Sequence, residues 1–476
     1  MSVYIKAGGL SLFSKSDEDL IKKIREAIKA MNTDLSEVDA VYLGLMNPEA
    51  FTGVGNIASY VTDRVGLSGV PSVRIETASS TGAAVLNLAY AAVKAGLYKN
   101  VLVIAAEKMT HLSTPKVTKI ISEVIDPNER KTGASMPSLA AMCARRFAYE
   151  QGLNDKKFAD ILSAVAIKNH HYGKLNEKAQ FKRDITKDDY LKSKYIAEPL
   201  RLYDCSPISD GAAALLISSE KSSVMIAGVG QGTDKQALTK RSSITGFPST
   251  RKAAIAAYNM AGFGPENVDF AEIHDAFTPF EVVGLIDTLL LKPEEVKDFY
   301  KNKEGYHDGR LPVNISGGLK SRGHPVGASG LAQVVECYKI MSGRYPAEIT
   351  PEKTDVALTQ SIGGLATNNF VTILKKTGAK TKPLAKPLVY EPVESKEIKD
   401  TKKYKIYSAT RLYTPPEGFE SPLDLVILER KGKLFLARSS AENLPKIGDS
   451  VQIDEKVDGA LLVKQDGILY FLGLKK

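Results

Sequence analysis

The chain has 476 residues, 43% of them hydrophobic and 25% charged, with a mean hydropathy of -0.14. That balance fits a globular protein of two or three domains, and no apolar run approaches the roughly 20 residues that span a bilayer. The net charge of +9 comes from a lysine-rich stretch and mixed-charge helix faces, without any zinc-finger, RNP-like or basic-zipper pattern, which argues against nucleic acid.

The opening "MSVYIKAGGLSLFSKSDEDLI" is polar and mixed in charge, so no signal peptide is expected and the cytoplasm is the expected location. Short apolar runs then predict strands at 39–46, 100–107, 213–219, 223–230, 268–274, 355–362 and 369–375, alternating with helices. Near-continuous apolar strands imply sheets covered by helices on both faces. The fold class is therefore α/β. A further strand-like run, "SVRIETA", gives way at Ser79–Ser80 to a helix that is apolar on nearly every face. "SSTGAAVLNLAYAAVKAG" and "HPVGASGLAQVVECYKIMSG" echo each other, which suggests a duplicated architecture with two buried central helices. Cys143, Cys205 and Cys337 are odd in number and widely spaced, so neither a disulfide framework nor a CxxC metal pattern is present. Cys143 and Cys337 read as buried thiols.

Residues 376–403 have the composition of a linker. Beyond them, short strands with turn signals such as PPEG, KGK and QDG predict a small closed β-barrel.

Four stretches place small or acid/base residues where strands meet helices: "ETASSTGAA", "EIHDAFTPFE", "NISGGLKSRGHPVGASG" and "TQSIGGLATNN". In this order, with "LRLYDCSPISDGAAALL" and "KNHHYGKLNEKAQF" between them, they resemble the thiolase superfamily over about residues 1–375. The HDAF form is similar to the sterol-carrier-protein-type and archaeal members. The C-terminal barrel resembles the OB-fold of the DUF35 family. The resemblance implies a five-layered fold of two βαβαβαββ halves, 1–222 and 223–375, then the 376–403 linker and a DUF35-like barrel at 404–476. The zinc ribbon usual in that last family needs paired cysteines. Residues 376–476 contain none, so no metal is expected.

By motif, the family's nucleophile falls on Ser79, its GHP histidine on His324, its HDAF histidine on His274 and its CxG cysteine on Ser361. Backbone N–H groups at Ser79 and Gly363 would face a thioester oxygen. Both family thiols are hydroxyls here. A serine ionises far above a cysteine, and its ester lies downhill from a thioester. The resemblance thus implies a coenzyme A thioester as substrate, with no permanently bound cofactor. The expected chemistry is C–C bond formation or cleavage beside its carbonyl, by a non-covalent aldol or Claisen-type reaction rather than thiolysis. Two other readings stand beside it. One is a catalytically silent coenzyme A-binding subunit that scaffolds partner enzymes through the barrel, and the other an acetyltransferase whose cysteines have been replaced by serine. A homodimer or larger homo-oligomer is expected. His111, His170, His171 and His307 read as surface or supporting residues, and Tyr203 and Asp204 as domain packing.

Overall fold

The computed structural model describes residues 1–392, 404–439, 443–457, 460–465 and 468–474. The first half supplies β1 (Tyr4–Leu10), β2 (Ala40–Gly44), β3 (Ser72–Ile75), β4 (Asn100–Glu107), the short β5 (Tyr195–Ala197) and β6 (Leu200–Arg201), and β7 (Gly211–Ser218). The second supplies β8 (Val224–Thr233), β9 (Phe270–Ile273), β10 (Val356–Gly363) and β11 (Asn368–Lys376). Every strand expected from an apolar run is present. β1 was not expected, because "YIKAGGL" carries a lysine and two glycines. It nevertheless sits inside the sheet, between β7 and β8. At Gly9 an added Cβ would lie 2.2 Å from the Ala27 carbonyl, so glycine lets the Leu20–Met31 helix lie directly on the strand.

The sheet order is β3-β2-β4-β7-β1-β8-β11-β10-β9. β1 and β8 pair only at Tyr4↔Met225 and Ile5↔Val224, so a narrow seam joins the sheets of the two halves. Two central helices, Thr81–Lys94 and Ser329–Met341, pack on each other and against strands of both halves. Leu20–Met31 covers the outer face of the first half and Pro248–Ala261 that of the second. The result is the expected five layers, helix–sheet–helix–sheet–helix. Small residues make the central layer possible. A Cβ on Gly82 would lie 2.5 Å from Leu331 N, and one on Gly330 would lie 2.7 Å from Ala83 N. The two sequence echoes meet at these glycines.

The C-terminal strands are β12 (Tyr404–Leu412), β13 (Leu423–Arg430), β14 (Lys433–Ser439), β15 (Ser450–Val457), β16 (Ala460–Gln465) and β17 (Ile468–Leu474). The ladder β13-β14-β17-β16-β15-β12 closes because β12 pairs back onto β13. This small barrel has one strand more than the usual five of an OB-fold. It is docked on the body of the chain. Leu412 pairs with Ala197, Ser408 Oγ donates to the Met142 carbonyl (2.8 Å), and the Arg146 guanidinium lies 3.9 Å above the Tyr407 ring. Of the expected linker, 376–392 is strapped to the body: Leu388 N donates to Asn259 Oδ1 (2.7 Å) and Leu384 N to the Gly262 carbonyl (3.0 Å). Residues 393–403 lie outside the described residues. No helix among the described residues is long and apolar enough to cross a membrane.

Candidate active site

β3 ends at Ile75, and the first central helix begins at Thr81. The turn between them is tied by hydroxyls. Ser80 Oγ donates to the Thr77 carbonyl (2.8 Å), and Thr81 Oγ1 accepts from Thr77 N (2.9 Å) while donating to the Ala78 carbonyl (2.6 Å). Ala78 is held at φ 55°, a left-handed conformation that a non-glycine residue adopts only under constraint. This strained turn presents Ser79 to a cavity of about 480 Å³ also lined by His274 and His324. Gly363 abuts the turn from β10. A Cβ there would meet the Thr77 carbonyl at 2.2 Å and Ser80 Oγ at 2.3 Å. Its neighbour Gly364, at φ 60°, reaches the cavity wall, whereas Gly363 is not among the lining residues. Ser361 is not among them either. Its Oγ is buried without a hydrogen-bond partner and faces the start of the second central helix at Gly330.

The two imidazoles lie edge to face, with ring centroids 5.3 Å apart. Their Nδ1 partners differ in kind, a backbone N–H for His274 and a hydroxyl for His324. Ile362 N donates to His274 Nδ1 (3.2 Å), so that nitrogen is an acceptor and the ring proton sits on Nε2. Ser329 Oγ lies 2.7 Å from His324 Nδ1 and 2.8 Å from the Pro325 carbonyl; with its proton on that carbonyl it accepts from Nδ1–H, and His324 Nε2 then carries a free lone pair. Burial, the neighbouring imidazole and the Arg322 guanidinium hold His274 well below the usual histidine range. Burial, with a smaller effect of Arg322, pushes His324 down to about 3. Both rings are neutral at neutral pH, and His274 presents Nε2–H as a hydrogen-bond donor.

A buried scaffold fixes these rings. His274 N donates to Gln360 Oε1 (3.0 Å) and His324 N to Ser209 Oγ (3.0 Å). Arg322 sits within 3.7 Å of Glu272 and 4.0 Å of Glu336. His170, expected at the surface or in a supporting place, is not at the surface. It is buried, and it lines the cavity together with Phe181, Tyr203 and Lys320. The motif "SGGLKSRGHP" carries a signal for Lys320, a lysine inside a small-residue turn, beside its glycines and histidine. Cys143 and Cys337 are buried, and burial pushes the Cys143 thiol up to about 12. Among the described residues no group of three or more His, Cys, Asp or Glu side chains is placed to hold a metal.

Two domain families match the chain in tandem: "Thiolase, N-terminal domain" over residues 5–221 and "Thiolase C-terminal domain-like" over 230–376. An acetyl-CoA acetyltransferase of Methanothermobacter thermautotrophicus is 34% identical over 358 residues, 74% of this chain and 92% of that protein. The chain belongs to the thiolase superfamily. Another relative, the benzoylsuccinyl-CoA thiolase subunit BbsB of Thauera aromatica, is 32% identical, covering 76% of this chain and 94% of the relative. Among solved structures, the Ltp2-ChsH2(DUF35) aldolase matches 79% of this chain and 98% of its own, with TM-score 0.67 and 24% identity. A monomeric SCP2-thiolase like protein type 1 from Mycobacterium smegmatis matches 98% of both chains, with TM-score 0.70 and 15% identity. Those structural likenesses show the thiolase fold. With the relatives, they make this chain a thiolase-superfamily enzyme.

Proposed function

We propose that this thiolase-like enzyme makes or breaks a C–C bond next to the carbonyl of an acyl-CoA thioester without forming an acyl-enzyme. The observation that carries the reading is the pair of neutral, edge-to-face imidazoles lining one cavity with Ser79; the reaction uses the tautomer of His324 with its proton on Nδ1. In the cleavage direction, His324 Nε2 takes the proton of a β-hydroxyl. The Cα–Cβ bond breaks as the β-carbonyl forms, and its electron pair moves into the thioester as an enolate. His274 Nε2–H and the backbone N–H at Ser79 donate to the enolate oxygen, a type of contact worth about 2.7–4 kcal/mol per donor. The imidazolium of His324 then returns the proton to the α-carbon, so the proton count balances. Ser79 stands where the family carries a cysteine, and among the described residues no base lies within hydrogen-bond distance of its hydroxyl. It serves as a small wall residue rather than a nucleophile.

The test is deuterium uptake at the α-carbon of acetyl-CoA in D2O, together with intact-mass analysis. The expected result is exchange that His324→Ala removes and Ser79→Ala leaves within about tenfold (~1.4 kcal/mol), with no acyl adduct. Ser79→Cys is expected to gain thiolysis of acetoacetyl-CoA. An acyl group mapped to Ser79 that turns over would overturn the mechanism. Tight acyl-CoA binding without exchange would leave the coenzyme A-binding scaffold in its place.

We also propose that two copies pair through β3, an unpaired sheet edge on which Val73 is 44% exposed. The barrel is proposed to be a fused DUF35-like module that closes the cavity through Thr414 and docks a partner enzyme. The Mycobacterium smegmatis structure is described as monomeric, so native mass at micromolar concentration decides. A single 51.6 kDa species would refute the pairing.

A further inference from the structure

Among the described residues four lysines are buried, and three of them are neutralised. Lys23 lies 2.7 Å from Glu18 Oε2, and Lys108 lies 2.6 Å from Asp210 Oδ2. Lys168 Nζ donates to Asn169 Oδ1 (2.5 Å) and the Val313 carbonyl (2.6 Å), beside Glu281. The fourth, Lys320, is 2% exposed and lines the cavity that holds Ser79 and the two imidazoles. Among the described residues no carboxylate lies within 4.0 Å of its Nζ, and no acceptor takes a hydrogen bond from it. The acids whose charge reaches it are both held elsewhere: Asp204 accepts from Tyr190 Oη, Thr278 Oγ1 and Arg201 N, and Asp275 accepts from Asn169 Nδ2 and the backbone N–H groups of Leu319 and Lys320.

What Lys320 does have is aromatic. Its Nζ lies 5.5 Å from the ring centroid of Phe181 and 5.9 Å from that of Tyr203. Cation–π contacts compensate only in part for stripping water from an ammonium, which ordinarily requires a paired anion. The residue is delivered by the five-residue π-helical turn Gly318–Arg322, a rare geometry that is frequent at functional sites. Burial pushes its amine down to about 8, which leaves it mostly charged at neutral pH. The cavity therefore has a second, cationic pole with no counter-ion in contact with it among the described residues.

We infer that Lys320 receives a carboxylate carried by the acyl group, so that the substrate is a dicarboxylic acyl-CoA rather than a plain fatty acyl-CoA. This rests on the reading that an acyl-CoA enters this cavity. The phosphates of coenzyme A are the other anion in reach. Two further cations at the cavity, Arg183 and Lys194, are exposed and suit a hydrated polyanion, whereas Lys320 is buried where only a compact, desolvated anion gains from it.

The experiment measures dissociation constants by calorimetry for succinyl-, glutaryl- and adipoyl-CoA. Each is set against its uncharged partner, butyryl-, pentanoyl- or hexanoyl-CoA, and against free coenzyme A. Wild-type protein is expected to bind at least one dicarboxylic thioester tenfold or more tightly than its partner. Lys320→Met should erase that preference while leaving the uncharged thioesters and free coenzyme A within about threefold, and Lys320→Arg should restore part of it. No preference in the wild-type protein overturns the inference, even if the variants fail to fold. Loss of free coenzyme A binding in folded Lys320→Met assigns the lysine to the phosphates and also overturns it. If no thioester binds wild-type protein at all, the acyl-CoA reading itself falls, an outcome distinct from binding without preference.

Discussion

Ser329→Ala tests the tautomer argument at its most exposed point. The side chain is fully buried behind the His324 ring, so it contacts no substrate, and its one effect on the site passes through Nδ1. Removing the hydroxyl leaves Nδ1–H of a ring only 9% exposed without an acceptor. Stranding a buried donor costs about 1–3 kcal/mol. The ring escapes that cost by moving its proton to Nε2, which removes the base, or accepts it and keeps a weakened one. Taking 1–2 kcal/mol as the part felt in the transition state, α-proton exchange should fall roughly 5- to 30-fold. The KM for acetyl-CoA should stay within about twofold. Exchange is followed by proton NMR in D2O, and the ring tautomer by nitrogen shifts of labelled histidine. His324→Ala sets the floor. Wild-type exchange with an unchanged tautomer in Ser329→Ala would refute the reasoning.

The pH profile offers an independent check. Burial pushes His324 down to about 3, and a lowered pKa keeps a base unprotonated to lower pH, so the acid limb of exchange should lie well below pH 6.5. A limb centred near 6.5 would contradict that environment. Ser361 Oγ is a buried hydroxyl without a partner, so Ser361→Ala should be neutral or stabilising by up to about 1 kcal/mol, with exchange within threefold; a large loss of exchange would give the hydroxyl a proton-transfer role. Gly82→Ala places a methyl 2.5 Å from the Leu331 backbone nitrogen, an atom that cannot rotate away. The central layer should lose about 1–3 kcal/mol, read as a lower denaturant midpoint, and an unchanged midpoint would mean that the helices slide apart freely.

Much of this molecule is legible one segment at a time. The apolar runs at 100–107 and 355–362 became β4 and β10 almost residue for residue, because a strand covered on both faces must be apolar throughout. The two Gly/Ala-rich helices announced a crowded centre, and the four motifs announced the family. Residues whose role depends on distant partners were not legible. β1 looks too polar to be central until β7 and β8 close on either side of it. A sequence that shows His274 and His324 cannot show which nitrogen of each carries the proton. That depends on Ile362 N, 88 residues from His274, and on whether the Ser329 hydroxyl turns to Pro325 or to the ring. His170 and Lys320 look like ordinary polar residues in their own segments, and only the packing of the Asp155–Leu175 helix against the Gly318–Arg322 turn brings both to the cavity wall. Local pattern records which residues avoid water. Proton position and unpaired charge depend on what covers each group, and that is decided only when elements far apart in the chain are packed together.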